Sequence, residues 1–122
     1  MATESRGGAG GSSTVIATSL VITRVWRGWT RSEDADAYER FLLEELFPQM
    51  RAIRGFRGAD VLRRTEGAEV AFVTLTRFDT LDAIRAFAGA DVEVPVLEPR
   101  ARALLSRHDP QAQHFETASF RV

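Results

Sequence analysis

Hydrophobic positions along this chain change period several times, and each change predicts an element. Residues Val15–Trp29 are rich in Val, Ile, Thr and Trp, which suit a pleated backbone, so a first strand is expected there. Thr30-Arg31-Ser32-Glu33 then has the form of a capping box, with Thr30 or Ser32 as N-cap. Acids at Glu33, Asp34 and Asp36 suit the positive end of a helix dipole. Tyr38, Phe41, Leu42, Leu46 and Met50 or Ile53 recur at helical spacing, and Gly55 is the expected stop. Pro48 lies inside this pattern and predicts a kink or a division into two pieces.

Two further strands are expected at about Phe56–Arg64 and at Glu69–Phe78. The short Glu66-Gly67-Ala68 turn joins them as a hairpin. Asp79 or Thr80 caps a second helix, Leu81–Ala88, and Gly89 follows it. Val92–Glu98 contains Pro95 and precedes Pro99, so it reads as a connection. Pro99 suits the first turn of a short helix running through Leu105, Asp109-Pro110 is a turn, and His114–Val122 is a final strand. The order is β-α-β-β-α-β with a small extra helix. That predicts an α+β protein of ferredoxin-like topology with an antiparallel sheet.

Two helices cover only one face of a four-stranded sheet, and a face left in water should alternate apolar with polar. Here Leu20, Val21 and Ile22 are consecutive, as are Val25-Trp26 and Phe72-Val73. Neighbouring strand residues point to opposite faces, so both faces of the inner strands are apolar. A second copy packed sheet against sheet, a homodimer, is the economical cover.

Composition narrows the chemistry. The 122 residues include no Cys, Lys or Asn, and all 16 basic residues are Arg. No thiolate nucleophile, cysteine-ligated metal or Schiff-base lysine is available. The net charge of −1, with Arg scattered among acids, supplies no basic field for nucleic acid. Residues Met1–Thr14 are Gly/Ser/Thr-rich and read as a disordered tail rather than a signal peptide. Val15–Ile22 is too short and too polar to span a bilayer. One domain over residues 15–122 of a cytoplasmic protein is therefore expected, with no metal motif.

Three segments carry a resemblance: Arg24-Val25-Trp26-Arg27-Gly28-Trp29-Thr30, Gly55-Phe56-Arg57-Gly58, and Ala83-Ile84-Arg85-Ala86-Phe87-Ala88-Gly89. With Ala103-Leu104-Leu105-Ser106-Arg107-His108-Asp109, they resemble the antibiotic biosynthesis monooxygenase family of the dimeric α/β-barrel superfamily. The resemblance implies a dimeric barrel. It also implies oxygenation of a small aromatic or polyketide-like molecule without flavin, metal or other cofactor. The same superfamily holds haem-degrading and isomerase-like enzymes and proteins without known activity. An isomerase or cyclase, or a non-catalytic ligand-binding dimer, are thus the alternatives. The asparagines used by haem-degrading and quinone-forming members have no counterpart here.

Cofactor-free oxygenation needs a base or cation that favours a phenolate, and an apolar pocket that excludes water. His114 and His108 titrate nearest neutrality and are the candidate bases; alternatively, His108 caps a helix C-terminus and His114 is a surface or interface residue. Arg24, on an inner strand, is the candidate anion holder or else one half of a salt bridge. Trp26 and Trp29 could stack on a flat substrate or simply pack. They lie three positions apart, so they face opposite ways on a regular strand. Tyr38, Phe72 and Arg77 complete the candidate substrate-binding set.

Overall fold

The computed structural model describes residues 21–122. The expected tail of residues 1–14 and the beginning of the first expected strand lie outside them. Strand β1 (Ile22–Arg31) is the centre of the sheet, with strands on both sides. It runs on through Thr30, which is fully buried opposite Val70 rather than capping a helix. Ladder bonds on both edges satisfy this backbone better than a single cap would. Ser32 caps nothing either, because its hydroxyl donates to the Ala68 carbonyl at 3.1 Å. A 3-10 turn, Ser32–Asp34, leads instead into α1 (Ala35–Phe41).

Pro48 does not cut the helix. A π turn, Leu42–Leu46, follows α1 and passes directly into α2 (Phe47–Met50), with Pro48 in its first turn. The wider turn gives room where the proline has no N–H and its ring crowds the preceding carbonyls. The chain then turns through Gly55 into β2 (Phe56–Glu66). Only Gly67 and Ala68 separate β2 from β3 (Glu69–Phe78), with Gly67 at φ +64°, where a side chain would be strained. Helix α3 (Leu81–Ala88) starts where the Thr80 hydroxyl accepts from the Ala83 N–H at 3.0 Å, and Gly89 ends it. Residues 92–98 form no regular element, and Pro99 opens α4 (Pro99–Leu104).

The C-terminal expectation needs correction. The last strand is in two pieces, β4 (Leu105–His108) and β5 (Gln113–Glu116), and residues 117–122 are irregular. Both pieces pair antiparallel with β1, β4 against Gly28–Thr30 and β5 against Ile22–Val25. Together they occupy one edge, and the sheet reads β2-β3-β1-β4 with β5 beside the other end of β1. This is the expected ferredoxin-like antiparallel sheet. Gly28 gives β4 room: a Cβ there would lie 2.8 Å from a terminal methyl of Leu105, which would have to move aside.

Even-numbered residues of β1 and β3 face the helices. Tyr38, Phe41, Leu42 and Phe72 form one buried cluster, and Met50, Phe78 and Ile84 form a second. Each such side chain removed from water stabilises the fold by roughly 1.5–3 kcal/mol. Odd-numbered residues face the open side. There Val25, Val73 and Leu75 are half-buried, while Leu62 and Phe115 are 48% and 52% exposed. The alternation thus carries apolar side chains to both faces of the inner strands.

Candidate functional site

Between the helix-facing side of the sheet and the helices lies a narrow, mostly apolar cleft of about 500 Å³, counted out to solvent. Its floor is β1 and β3, which contribute Arg24, Trp26, Thr74 and Thr76. Tyr38, Phe47 and Phe87 give it aromatic walls, and Val96 and Glu98 close it from the irregular segment. The π turn brings Leu42 and Leu46 to the same wall. Its mostly apolar, aromatic lining suits a small flat ligand, which the free space inside it, about 40 Å³, would admit only once side chains move apart.

Arg24 is 4% exposed, yet no carboxylate pairs with it among the described residues. Its Nη1 donates to the Val92 carbonyl, and its Nη2 to the Val94 carbonyl at 2.8 Å. Its carbon lies 5.6 Å from the centre of the Phe87 ring. Burial draws the guanidinium down to about 10, so it remains charged at neutral pH. His114 stands directly opposite Arg24 in the β1–β5 register, and Arg24 Nη1 is 3.0 Å from its Nε2. Since guanidinium can only donate, Nε2 accepts and the imidazole proton sits on Nδ1. Desolvation, then the neighbouring Arg24 charge, hold the imidazole below its ordinary pKa, with Glu93 opposing. The structure therefore joins Arg24 and His114 as a pair, with Arg24 facing the cleft and His114 behind it.

Trp26 also lines the cleft. Its indole N–H donates to the Asp109 carbonyl at 3.0 Å, and its ring lies 5.3 Å from that of His108. His108 itself is exposed, with Nδ1 donating to the same carbonyl at 2.8 Å. The indole stands between His108 and the cleft. Tyr38 is 1% exposed, and burial pushes its phenol well above its usual range, so it stays neutral. Phe72 meets Tyr38 edge-on at 4.9 Å as part of the core rather than of the cleft lining.

Trp29 and Arg77 lie on the open face. Arg107 sits 4.0 Å over the Trp29 ring, whose N–H donates to Glu66 at 3.2 Å. Arg77 pairs with Asp60 at 2.9 Å. Of the eight residues singled out from the sequence, the cleft thus collects Arg24, Trp26 and Tyr38, with His114 one contact away. Sequence reasoning missed Glu98, which it placed in a featureless connection. The signal available was an acid immediately before Pro99, at the mouth of a helix. Among the described residues no group of three or more His, Asp or Glu could hold a metal, and no helix is long and apolar enough to cross a membrane.

No protein-family profile and no curated protein sequence matches the chain. Solved structures do. A conserved protein from Methanosarcina mazei Go1 superposes with TM-score 0.63 at 12% identity, covering 85% of this chain and 99% of that one. A variant of SnoaB, a cofactor-independent oxygenase from Streptomyces nogalater, matches at TM-score 0.54 and 19% identity, with 84% and 96% covered. The ActVA-Orf6 monooxygenase of Streptomyces coelicolor, solved with nanaomycin D, matches at TM-score 0.54 and 13% identity, with 86% and 94% covered. Others are described as antibiotic biosynthesis monooxygenases. The resemblance read from the sequence is therefore present in three dimensions: this chain has the ferredoxin-like α+β fold of the antibiotic biosynthesis monooxygenase structures.

Proposed function

We propose that this protein is a cofactor-independent monooxygenase acting on a small phenolic or polyketide-type aromatic molecule. One observation carries the reading. A buried guanidinium with no carboxylate partner faces an aromatic-walled cleft. At the floor, where no acid pairs with Arg24, its positive charge favours a phenolate over its phenol, because a partly desolvated charge interacts more strongly than one in water. An electron-rich phenolate is the species that can reduce oxygen directly. The balance needs no external reductant: a phenol and O2 give a quinone and water. One oxygen atom becomes the new carbonyl, and all four electrons come from the ring. Trp26, Phe47 and Phe87 supply the flat apolar surfaces that hold the ring. Two fold neighbours with oxygenase names support the same reading. The test is oxygen uptake with a dihydroxynaphthalene or hydroxyanthrone after exhaustive chelation. Uptake above the protein-free rate, lost in Arg24→Gln, is expected. Turnover that proceeds without oxygen would overturn the oxygenase in favour of an isomerase, and no turnover would leave a binding protein.

The working form we propose is a homodimer paired through the open sheet face. Val25, Val73 and Leu75 make an apolar strip there, continued by Leu62 and Phe115. Ion pairs Arg27–Asp109, Arg77–Asp60 and Arg107–Glu69 frame it. An apolar centre with a polar rim is the anatomy of a protein interface, and a two-fold axis lets one such face cover its own copy. Sedimentation equilibrium should give a dimer for the native chain and a monomer for Leu75→Arg. A native chain that stays monomeric at high concentration overturns the pairing.

A further inference from the structure

Glu98 lines the cleft, and it also lines the adjoining groove between α2, α3 and the irregular segment, where Gln49 and Ile53 lie. It occupies the N-cap position of α4, but its side chain caps nothing. Among the described residues, its carboxylate takes part in no hydrogen bond and no ion pair. In this it contrasts with neighbouring Arg100, which pairs with Glu45. It is also the one acid among the residues that line the cleft. Across the same space stands Arg24, with three of its donor contacts already committed to the Val92 and Val94 carbonyls and His114. The cleft therefore has an unoccupied acceptor at its mouth and a largely committed donor at its floor. Tyr38 and Thr76, which also line it, add hydroxyls that can accept as well as donate.

We infer that Glu98 is the specificity-determining residue of this cleft. Its carboxylate accepts a hydrogen bond from a hydroxyl of the ligand and so selects hydroxylated aromatics over aromatic carboxylates. The inference rests on the reading of the cleft as an aromatic site, but not on turnover. A carboxylate that accepts from a ligand hydroxyl makes a charge-assisted hydrogen bond, stronger than a neutral one. The same carboxylate repels an anionic ligand and would strand it beside an unpaired like charge. Arg24 alone would produce the opposite preference, for the anion. The two charges therefore make contrary predictions about one measurable ratio.

The experiment is calorimetric titration of the full chain at pH 7 with 2-naphthol and with 2-naphthoate, two probes of equal ring size. Binding of 2-naphthol at least ~10-fold tighter than 2-naphthoate is expected, the discrimination of one hydrogen bond to a charged group. Glu98→Gln should weaken 2-naphthol by about 10-fold and leave 2-naphthoate unchanged or tighter, collapsing the ratio. Stronger binding of 2-naphthoate by the native chain overturns the assignment. So does a ratio that Glu98→Gln leaves intact, or failure of 2-naphthol to bind at all. The oxygen assay is separate: selection by Glu98 without oxygen uptake retains this inference and removes the oxygenase. Oxygen uptake with an unchanged ratio does the reverse.

Discussion

The two faces of the sheet use arginine in opposite ways. On the helix-covered face, Arg24 is almost wholly buried and meets backbone carbonyls and a neutral imidazole rather than an acid. On the open face, Arg27, Arg77 and Arg107 each remain partly in water, and each meets a carboxylate. The second arrangement is cheap and weak, because solvent screens the pair and side-chain entropy offsets the rest. The first is costly unless every polar group around the charge is satisfied. A buried charge without an acid on one face, set against routine ion pairs on the other, is the contrast on which the proposed site rests.

Core substitutions sharpen the contrast most. Phe78 is fully buried against Phe56 and Phe87, at ring distances of 5.5 and 6.2 Å. Phe78→Ala should destabilise the fold by about 3–5 kcal/mol in urea titration, whereas Leu62→Ala on the open face should cost under ~1 kcal/mol in a monomer. A large cost at Leu62 would show that the open face is covered. Arginine comes next. Arg24→Met leaves two carbonyls and an imidazole nitrogen without their donor, and should cost about 2–4 kcal/mol and loosen residues 92–98 in hydrogen exchange. Arg27→Met, one face over, should cost less than ~1 kcal/mol. Equal costs at the two positions would erase the distinction.

His114 gives a smaller, pH-dependent effect. Its folded-state pKa lies below the ordinary histidine value, chiefly through desolvation. Between the two values the unfolded chain binds the proton more readily. Stability should therefore be complete above the unfolded histidine pKa of about 6.5 and decline as pH falls below it. Relative to the native chain, His114→Gln should flatten that slope in urea midpoints measured between neutral and acidic pH. The smallest effect is a gain. The Thr30 hydroxyl is buried with no hydrogen-bond partner. Thr30→Val keeps the shape, favours the strand and removes the orphan, so thermal denaturation should show stabilisation by about 0.5–1 kcal/mol.

Elements bounded by local punctuation could be read from the chain alone. Gly67 before β3, and Thr80 and Gly89 around α3, set boundaries that need no tertiary partner. Thr30 was misleading because the same residue type serves a cap and a central strand, and only the neighbours on both edges of β1 decide between them. Leu105-Ser106-Arg107-His108 has no strand pattern of its own; it is extended because β1 offers it a ladder. The site divided in the same way. Strand parity separated Trp26 from Trp29, and an Arg on an inner strand pointed to Arg24, since both follow from a two-residue repeat. Glu98 lay beyond that reasoning, because an irregular segment has no repeat from which to tell where its side chains go.

The π turn at Leu42–Leu46 has a consequence for how this protein can diversify. It holds one residue more than an ordinary helical turn. Deleting a single residue there would restore regular winding and leave the residues after it on the same face, because the wide turn already absorbs the extra residue. Phe47 would keep its place on the cleft wall, and the strands, their register and Arg24 would stay where they are. The turn is thus a place where the chain can lose a codon and keep the same scaffold, with any change of shape confined to the turn itself.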